Sequence, residues 1–352
     1  MIVNKLPAKT WNRLNMNNGN IEVDNIEKIC KPEVDINDNI NGVVFSRSNK
    51  DIKLNTNMGE EFDNMISSRI EEYEDIFIAD DMVNEDPVII TYNYENNNRY
   101  INRLNIHVGA DSKQKIIVVY EGEDKAVGAA IHQIKVESGI GSDIEIYTIQ
   151  LLSDTFDVFH DFGVYCNEES SVKLTQVELG ASNVYTGAYA DLVGKKSYFE
   201  SQVGYFASGK QKLDMNYVAH HVRRKTESIM NAVGVIKDNA QKVYRGTIDF
   251  VHGSVDAKGS EKEDVLLLSE DVVNQSIPLI LCGEENVEGN HGATIGRLDQ
   301  EVLFYLGCHG ISEEEAEKMI AKARIQAICK EIPSEDIFNK INSFMEAEYA
   351  RL

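Results

Sequence analysis

Proline is missing from the middle of this chain. Of five prolines in 352 residues, none lies between Pro87 and Pro278. A central β-strand cannot give up its N–H donors, so the gap leaves room for an uninterrupted hydrogen-bond ladder. Cysteine is scarce and scattered: Cys30, Cys166, Cys282, Cys308 and Cys329 are odd in number and never form a C-x-x-C pair. That argues against a disulfide framework, a structural zinc site, or a permanent cluster on four local thiolates. Each is expected to be a small hydrophobe or a bystander. Positive charge is short too. Thirty-five Lys and Arg face 58 Asp and Glu, a net charge of −23, which disfavours nucleic acid or an anionic membrane as partner. No apolar run approaches the roughly 18 residues that span a bilayer. The opening Met1-Ile-Val-Asn-Lys-Leu-Pro has no basic start followed by an apolar core, so a cytoplasmic location is expected. No G-x-x-x-x-G-K-S/T phosphate loop occurs, so this chain is not expected to bind a nucleotide itself.

What is present falls into three regions: 1–86, 87–298 and 299–352. Residues 1–58, rich in Asn and Asp, read as extended or irregular, with Trp11 as an anchor against another element or subunit. Phe62, Met65, Ile66, Ile70 and Tyr73 recur at helical spacing, which predicts one amphipathic helix over Gly59–Glu74. From Val88 the period changes to two. Leu104/Ile106/Val108, Ile144/Ile146, Val172/Leu174, Leu213/Met215/Tyr217 and Ile248/Phe250 each put apolar side chains on one face of a strand. Glycine-containing or polar turns separate them. This spacing suits a sandwich, a barrel or a solenoid, and without an exact repeat the sandwich ranks first.

The last region is helical. Glu301–Leu306 forms a short turn. Ser312 and Glu315 make a capping box, and Ile311 with Ala316 has the spacing of a hydrophobic staple. Ala316, Met319, Ile320, Ala323, Ala327 and Ile328 follow as an apolar stripe. Pro333 stops that helix and Ser334 caps another, whose face is Ile337, Phe338, Ile341, Phe344 and Met345. Such helices either pack on the strand body or offer a surface to a partner.

Between strands and helices stands His291, with Gly289, Gly292, Ala293 and Gly296 around it, a composition that predicts a constrained turn. Here the chain resembles a known family. His291-Gly-Ala-Thr-Ile-Gly-Arg-Leu-Asp, Leu303-Phe-Tyr-Leu and Gly310-Ile-Ser-Glu-Glu-Glu-Ala resemble the C-terminal signature of the SufB/SufD proteins, scaffolds of iron–sulfur cluster assembly. Weaker similarity extends through Arg245-Gly-Thr-Ile-Asp-Phe-Val, Leu266-Leu-Leu-Ser-Glu-Asp and, at the N-terminus, Leu6-Pro-Ala-Lys-Thr-Trp-Asn-Arg-Leu.

The resemblance implies a mainly β fold, a right-handed parallel β-helix with helical N- and C-terminal segments, and reverses the ranking given by spacing. It implies a C-terminal docking region for a SufC-type ATPase, with Leu303, Phe304, Tyr305, Ile311, Met319 and Ile320 as contact candidates. It also implies a second SufB/SufD-family subunit and a transient iron–sulfur cluster as cargo. His291 matches the SufD-type histidine at the subunit junction, and a neutral imidazole is a good iron ligand. SufB-type members carry a glutamate where Gly292 stands, and a cysteine that falls near Lys262–Asp264, where this chain has none. Both departures point to a SufD-like accessory subunit without turnover of its own.

Cys282, nine residues before His291, is a second ligand candidate if the two approach across one coil. A homodimeric, SufB-like scaffold that itself holds the cluster is the alternative. A carbohydrate-active β-helix enzyme would need grouped carboxylates, which are not seen. Three further pairs stand out. Cys308-His309 ends a helix. His220-His221, beside Arg223, Arg224 and Lys225, reads as a solvated basic edge ahead of a subunit contact, and His160-Asp161 as an oriented imidazole with no nucleophile near it.

Overall fold

A computed structural model describes the chain apart from residues 11–14, 22–29, 38–39, 124 and 352 and the side chains of 349–351. Trp11 therefore lies outside the described residues. The period-two rows become strands of two nine-stranded sheets. Successive strands alternate between the sheets, and each pairs in parallel with the strand two places before it. Asp143–Gln150, for example, lies between Lys113–Gly122 and Ser171–Leu179. This is a parallel β-helix, the architecture that the resemblance implied, and not the sandwich that spacing ranked first. Alternation cannot separate the two, because both bury one face of every strand.

The inward rows (Ile116, Val118 and Tyr120, then Ile144 and Ile146, then Val172 and Leu174) form one continuous core between the sheets. Coils close with single residues in the left-handed region. Asp111, Glu169, Lys196, Lys225, Asp238 and Asp256 all have φ between 51° and 63°. Such corners change direction in very few residues, which keeps the coils in register.

The two ends of the solenoid differ. At the N-terminal end, Glu33–Ile36 pairs antiparallel with Val88–Tyr94, and Val43–Ser48 with Tyr73–Ile78. Part of the Asn-rich stretch is thus built into the sheets. Helix α1 (Glu60–Ser67) packs Phe62, Met65 and Ile66 on Ile101, Ile131 and Phe159. It is shorter than its spacing predicts, because Tyr73 enters a strand whose next residues pair with Leu104–Val108. Ladder formation there outweighs helix propensity. Buried cations fasten this segment. Arg103 reaches Asp51 and Asp63 at 2.7 Å each, and Lys135 reaches them at 3.0 and 2.8 Å.

At the other end follow α2 (Gln300–Cys308), α3 (Glu313–Cys329) and α4 (Glu335–Arg351). The capping box of Ser312 and Glu315 opens α3 as predicted. Its buried residues are Ala316, Ala321, Ile325, Ile328 and Cys329, whereas Met319, Ala323 and Ala327 face out. Alanines fit either face of a helix, so the sheet decides. Ile325 and Cys329 join Val177, Leu179, Phe206 and Val235, together with Ile337, Ile341 and Met345 of α4. Gly204 permits the close approach, since a Cβ there would sit 3.1 Å from Ile328. α2, by contrast, has no buried residue.

Ile325→Ala should therefore lower unfolding free energy by about 2–5 kcal/mol, the usual cost of emptying a fully buried aliphatic site. Met319→Ala should change it by less than about 0.5 kcal/mol. Urea unfolding followed by circular dichroism checks both, with unchanged m-values.

Candidate functional site at the open end of the solenoid

The strands Val273–Cys282 and Val287–Gly296 are the last of their sheets and, among the described residues, carry an unpaired edge. Val287–Gly296 lies on Ala257–Leu267 with Glu261 beside His291 and Glu263 beside Ala293. His291 is therefore mid-strand and not in a turn. The parallel ladder holds the backbone extended through its glycines, and tertiary pairing overrides their local preference. A Cβ at Gly289 would meet Phe250 at 3.1 Å and Ile280 at 3.2 Å, so Gly289 faces the core. By the two-residue period, His291 belongs to the same inward row. It is exposed because no further coil covers it.

One strand deeper lies a charged group inside an otherwise apolar row. Glu261 and Glu263 are 5% and 2% exposed, and Lys242 is fully buried. Lys242, from the facing sheet, donates to the Glu263 carboxylate and to Ser276 Oγ at 3.3 Å. Tyr205 donates to Glu263 at 3.4 Å, and the Lys242 ammonium stands 5.6 Å from the Tyr244 ring centroid. The Glu261 carboxyl occupies the space over Gly246, where an added Cβ would come within 2.2 Å of Oε1. Oε2 of both glutamates has no hydrogen-bond partner. Burial pushes the Glu261 carboxyl up to about 8, with the Glu263 charge adding and Lys242 opposing. Burial also lowers the Lys242 ammonium, against the pull of Glu263. Sequence reasoning missed this group; the one signal it offered is that Glu261 and Glu263, two apart, share one face of their strand.

Cys282 closes its strand, exposed, with Sγ 3.3 Å from the Glu284 carbonyl oxygen. Ile280 packs by Gly289, so stepping outward sets Cys282 opposite Val287 and His291 opposite Pro278. That leaves about 13 Å of strand between thiol and imidazole. The fold brings His291 to Glu261 and leaves Cys282 apart. Among the helical candidates, Phe304, Tyr305 and Met319 are 75%, 62% and 48% exposed. Leu303, Ile311 and Ile320 are half-buried. Val302 adds to the exposed group.

The other histidine pairs split across their strands. His221 is buried and bonds Thr226 and Ser228 at 2.8 Å each, while His220 bonds Asp191 at 2.7 Å from the opposite face. The pair is no solvated edge; Arg223, Arg224 and Lys225 alone are exposed. His160 faces inward 3.4 Å from Glu178, while Asp161 accepts from Met58 N and Gln133. Cys308 is exposed, and His309 Nδ1 lies 2.8 Å from the Tyr305 carbonyl oxygen.

Residues 90–324, about two-thirds of the chain, match the core domain described as SUF system FeS cluster assembly, SufBD core domain. The chain belongs to the SufBD family. It is 28% identical over 156 residues to the iron–sulfur cluster assembly protein SufD of Bacillus subtilis, covering 44% of this chain and 36% of that protein. A SufBD family protein of Staphylococcus saprophyticus is 32% identical over 130 residues, 37% of this chain and 28% of that one. One from Synechocystis is 26% identical over 166 residues, 47% and 35%. The chain thus spans about a third of the length of these curated relatives. Among the described residues no helix is long and apolar enough to cross a membrane.

His221 gives a pH prediction. Burial lowers its imidazole to about 3, so the unfolded chain binds a proton that the folded chain refuses between pH 6.5 and 3. Stability should fall with pH through this window by a few kcal/mol from this group. His221→Gln should flatten that slope relative to the parent in urea titrations at stepped pH.

Proposed function

We propose that the chain is a SufD-like accessory scaffold in iron–sulfur cluster assembly. One observation carries this reading: a ten-residue edge strand, Val287–Gly296, is exposed along its length and presents His291 on its inward row at an uncapped solenoid end. Such an edge is a template for another chain, and the fitting occupant is a second SufB/SufD-family subunit. The nascent cluster is the cargo at that junction, with the His291 imidazole as one iron ligand. Cys282, exposed on the same coil, is the nearer candidate for a thiolate if the junction rearranges on assembly. The apolar group Leu303, Phe304, Tyr305, Ile311, Met319 and Ile320 is the docking surface for a SufC-type ATPase, which supplies nucleotide hydrolysis. α3 and α4 spend their own apolar faces on the sheet, so that surface draws mainly on α2.

Among the described residues no group of three or more His, Cys, Asp or Glu side chains is arranged to hold a metal. A cluster at the junction would therefore draw ligands from both subunits, in the accessory reading and in the homodimeric one alike.

Co-purification with the organism's SufC-type ATPase, then anaerobic iron–sulfide reconstitution, tests the proposal. Phe304→Asp with Tyr305→Asp should abolish ATPase capture without moving the urea midpoint. His291→Ala should leave the complex intact and lower cluster yield at least tenfold, only when a SufB-type chain is present. A cluster held by this chain and the ATPase alone would establish the homodimeric alternative. Failure of the parent chain to bind the ATPase would sink both.

A further inference from the structure

We infer that Glu261 supplies a carboxylate oxygen to the metal that His291 binds, making the open end an imidazole–carboxylate half-site for a divalent transition metal, ferrous iron first. The inference rests on reading His291 as a metal ligand and adds a residue to it. Glu261 and His291 are register partners on adjacent parallel strands, whose backbones lie about 4.8 Å apart, and both belong to the inward face. Glu261 is 95% buried, yet its Oε2 has no partner. A buried carboxylate oxygen without a donor is costly, and such a group is ordinarily matched by a cation.

Lys242 attracts Glu261 but gives it no hydrogen bond, since its own go to Glu263 and Ser276. With Glu261 ionised, two carboxylates stand against one ammonium beneath His291, and a divalent ion would reverse that balance. One imidazole nitrogen with one carboxylate oxygen suits Fe(II), Co(II) or Zn(II). The positions left open fall to sulfide from the cargo or to side chains of the second subunit. That matches the absence, among the described residues, of any three-ligand cluster.

The structural alternative is a protonated Glu261 that merely fills the lumen over Gly246. Glutamine mimics that state in shape and charge, which makes Glu261→Gln the discriminating variant. Metal-free full-length chain would be titrated with Co(II), followed by its visible d–d absorption and by calorimetry. Glu261→Gln and His291→Ala should each weaken binding tenfold or more and alter the absorption bands. Glu261→Asp, which withdraws the carboxylate by one methylene, should weaken it less. Glu288→Gln, on the exposed part of the last strand, should change nothing.

Parent-like binding by Glu261→Gln alongside loss in His291→Ala would overturn the inference and leave His291 standing. Parent-like binding by both variants, or no saturable binding by the parent, would overturn His291 as well. An equal loss in Glu288→Gln would mean diffuse attraction to an acidic surface, and would also overturn it. Should Glu261→Gln lower the urea midpoint, Glu261→Asp carries the comparison alone.

Discussion

The in-register parallel ladder is the constraint on which the rest depends. Once each strand sits exactly one coil above the last, inward positions stack into columns, and a residue's face is settled by parity alone. A slip of one residue would turn every inward side chain outward. Apolar columns then close the core without further instruction. Polar residues on inward positions cannot escape to water and must find partners inside. Tyr92 donates to Glu74 at 2.6 Å, Tyr120 lies 2.5 Å from His132 Nδ1, and His160 lies 3.4 Å from Glu178, all within the lumen. Burial holds His132 well below the usual imidazole range, so the lumen keeps it neutral. Lys242 and Glu263 answer the same constraint with an ion pair.

The ladder also explains what the sequence made legible. Alternation and the proline gap between Pro87 and Pro278 identified the strands, and Pro278 itself stands on an edge strand, where a missing N–H does least harm. The choice of solenoid over sandwich came from resemblance alone, because pairing two strands apart leaves no mark on local periodicity. The glycines around His291 suggested a turn for a sound local reason, and the ladder overrode it. His220 and His221 looked like one basic edge because neighbours in sequence look like neighbours in space. In a strand they point to opposite faces. Half of the α3 stripe, Ala316, Ile320 and Ile328, packs inward as expected, while Met319, Ala323 and Ala327 face out, because alanine carries little preference and the sheet surface selects the face.

The candidate site was half legible. His291 stood out through motif resemblance, and its partner did not. Glu261-Lys262-Glu263-Asp264 reads on its own as a solvated charge run, the commonest fate of such a run. Only the knowledge that 257 and 265 face the core turns 261 and 263 inward with them. Cys282 was chosen by closeness in sequence, and strand geometry spends that closeness on distance along the coil.

The two ends of the solenoid solve one problem in opposite ways. A stack of coils leaves two sets of unpaired strand edges, and each invites association unless covered. At the N-terminal end the short antiparallel strands Glu33–Ile36 and Val43–Ser48 take over the parallel edge, while α1 and the Arg103–Lys135 ion network cover the outer face of one sheet beside it. The C-terminal end is left bare although helical chain lies close by, because α3 and α4 run across the outside of one sheet instead of over the last coil. Their attachment reaches the site all the same. Arg324 of α3 bonds Asp264 at 2.8 Å, and Asp264 is the outward neighbour of inward Glu263. One strand therefore ties the helical layer outside to the carboxylates inside. Three residues, Arg297 to Asp299, join the last strand to α2. The bare edge, His291, the buried carboxylates and the exposed face of α2 thus lie together at one end of the molecule.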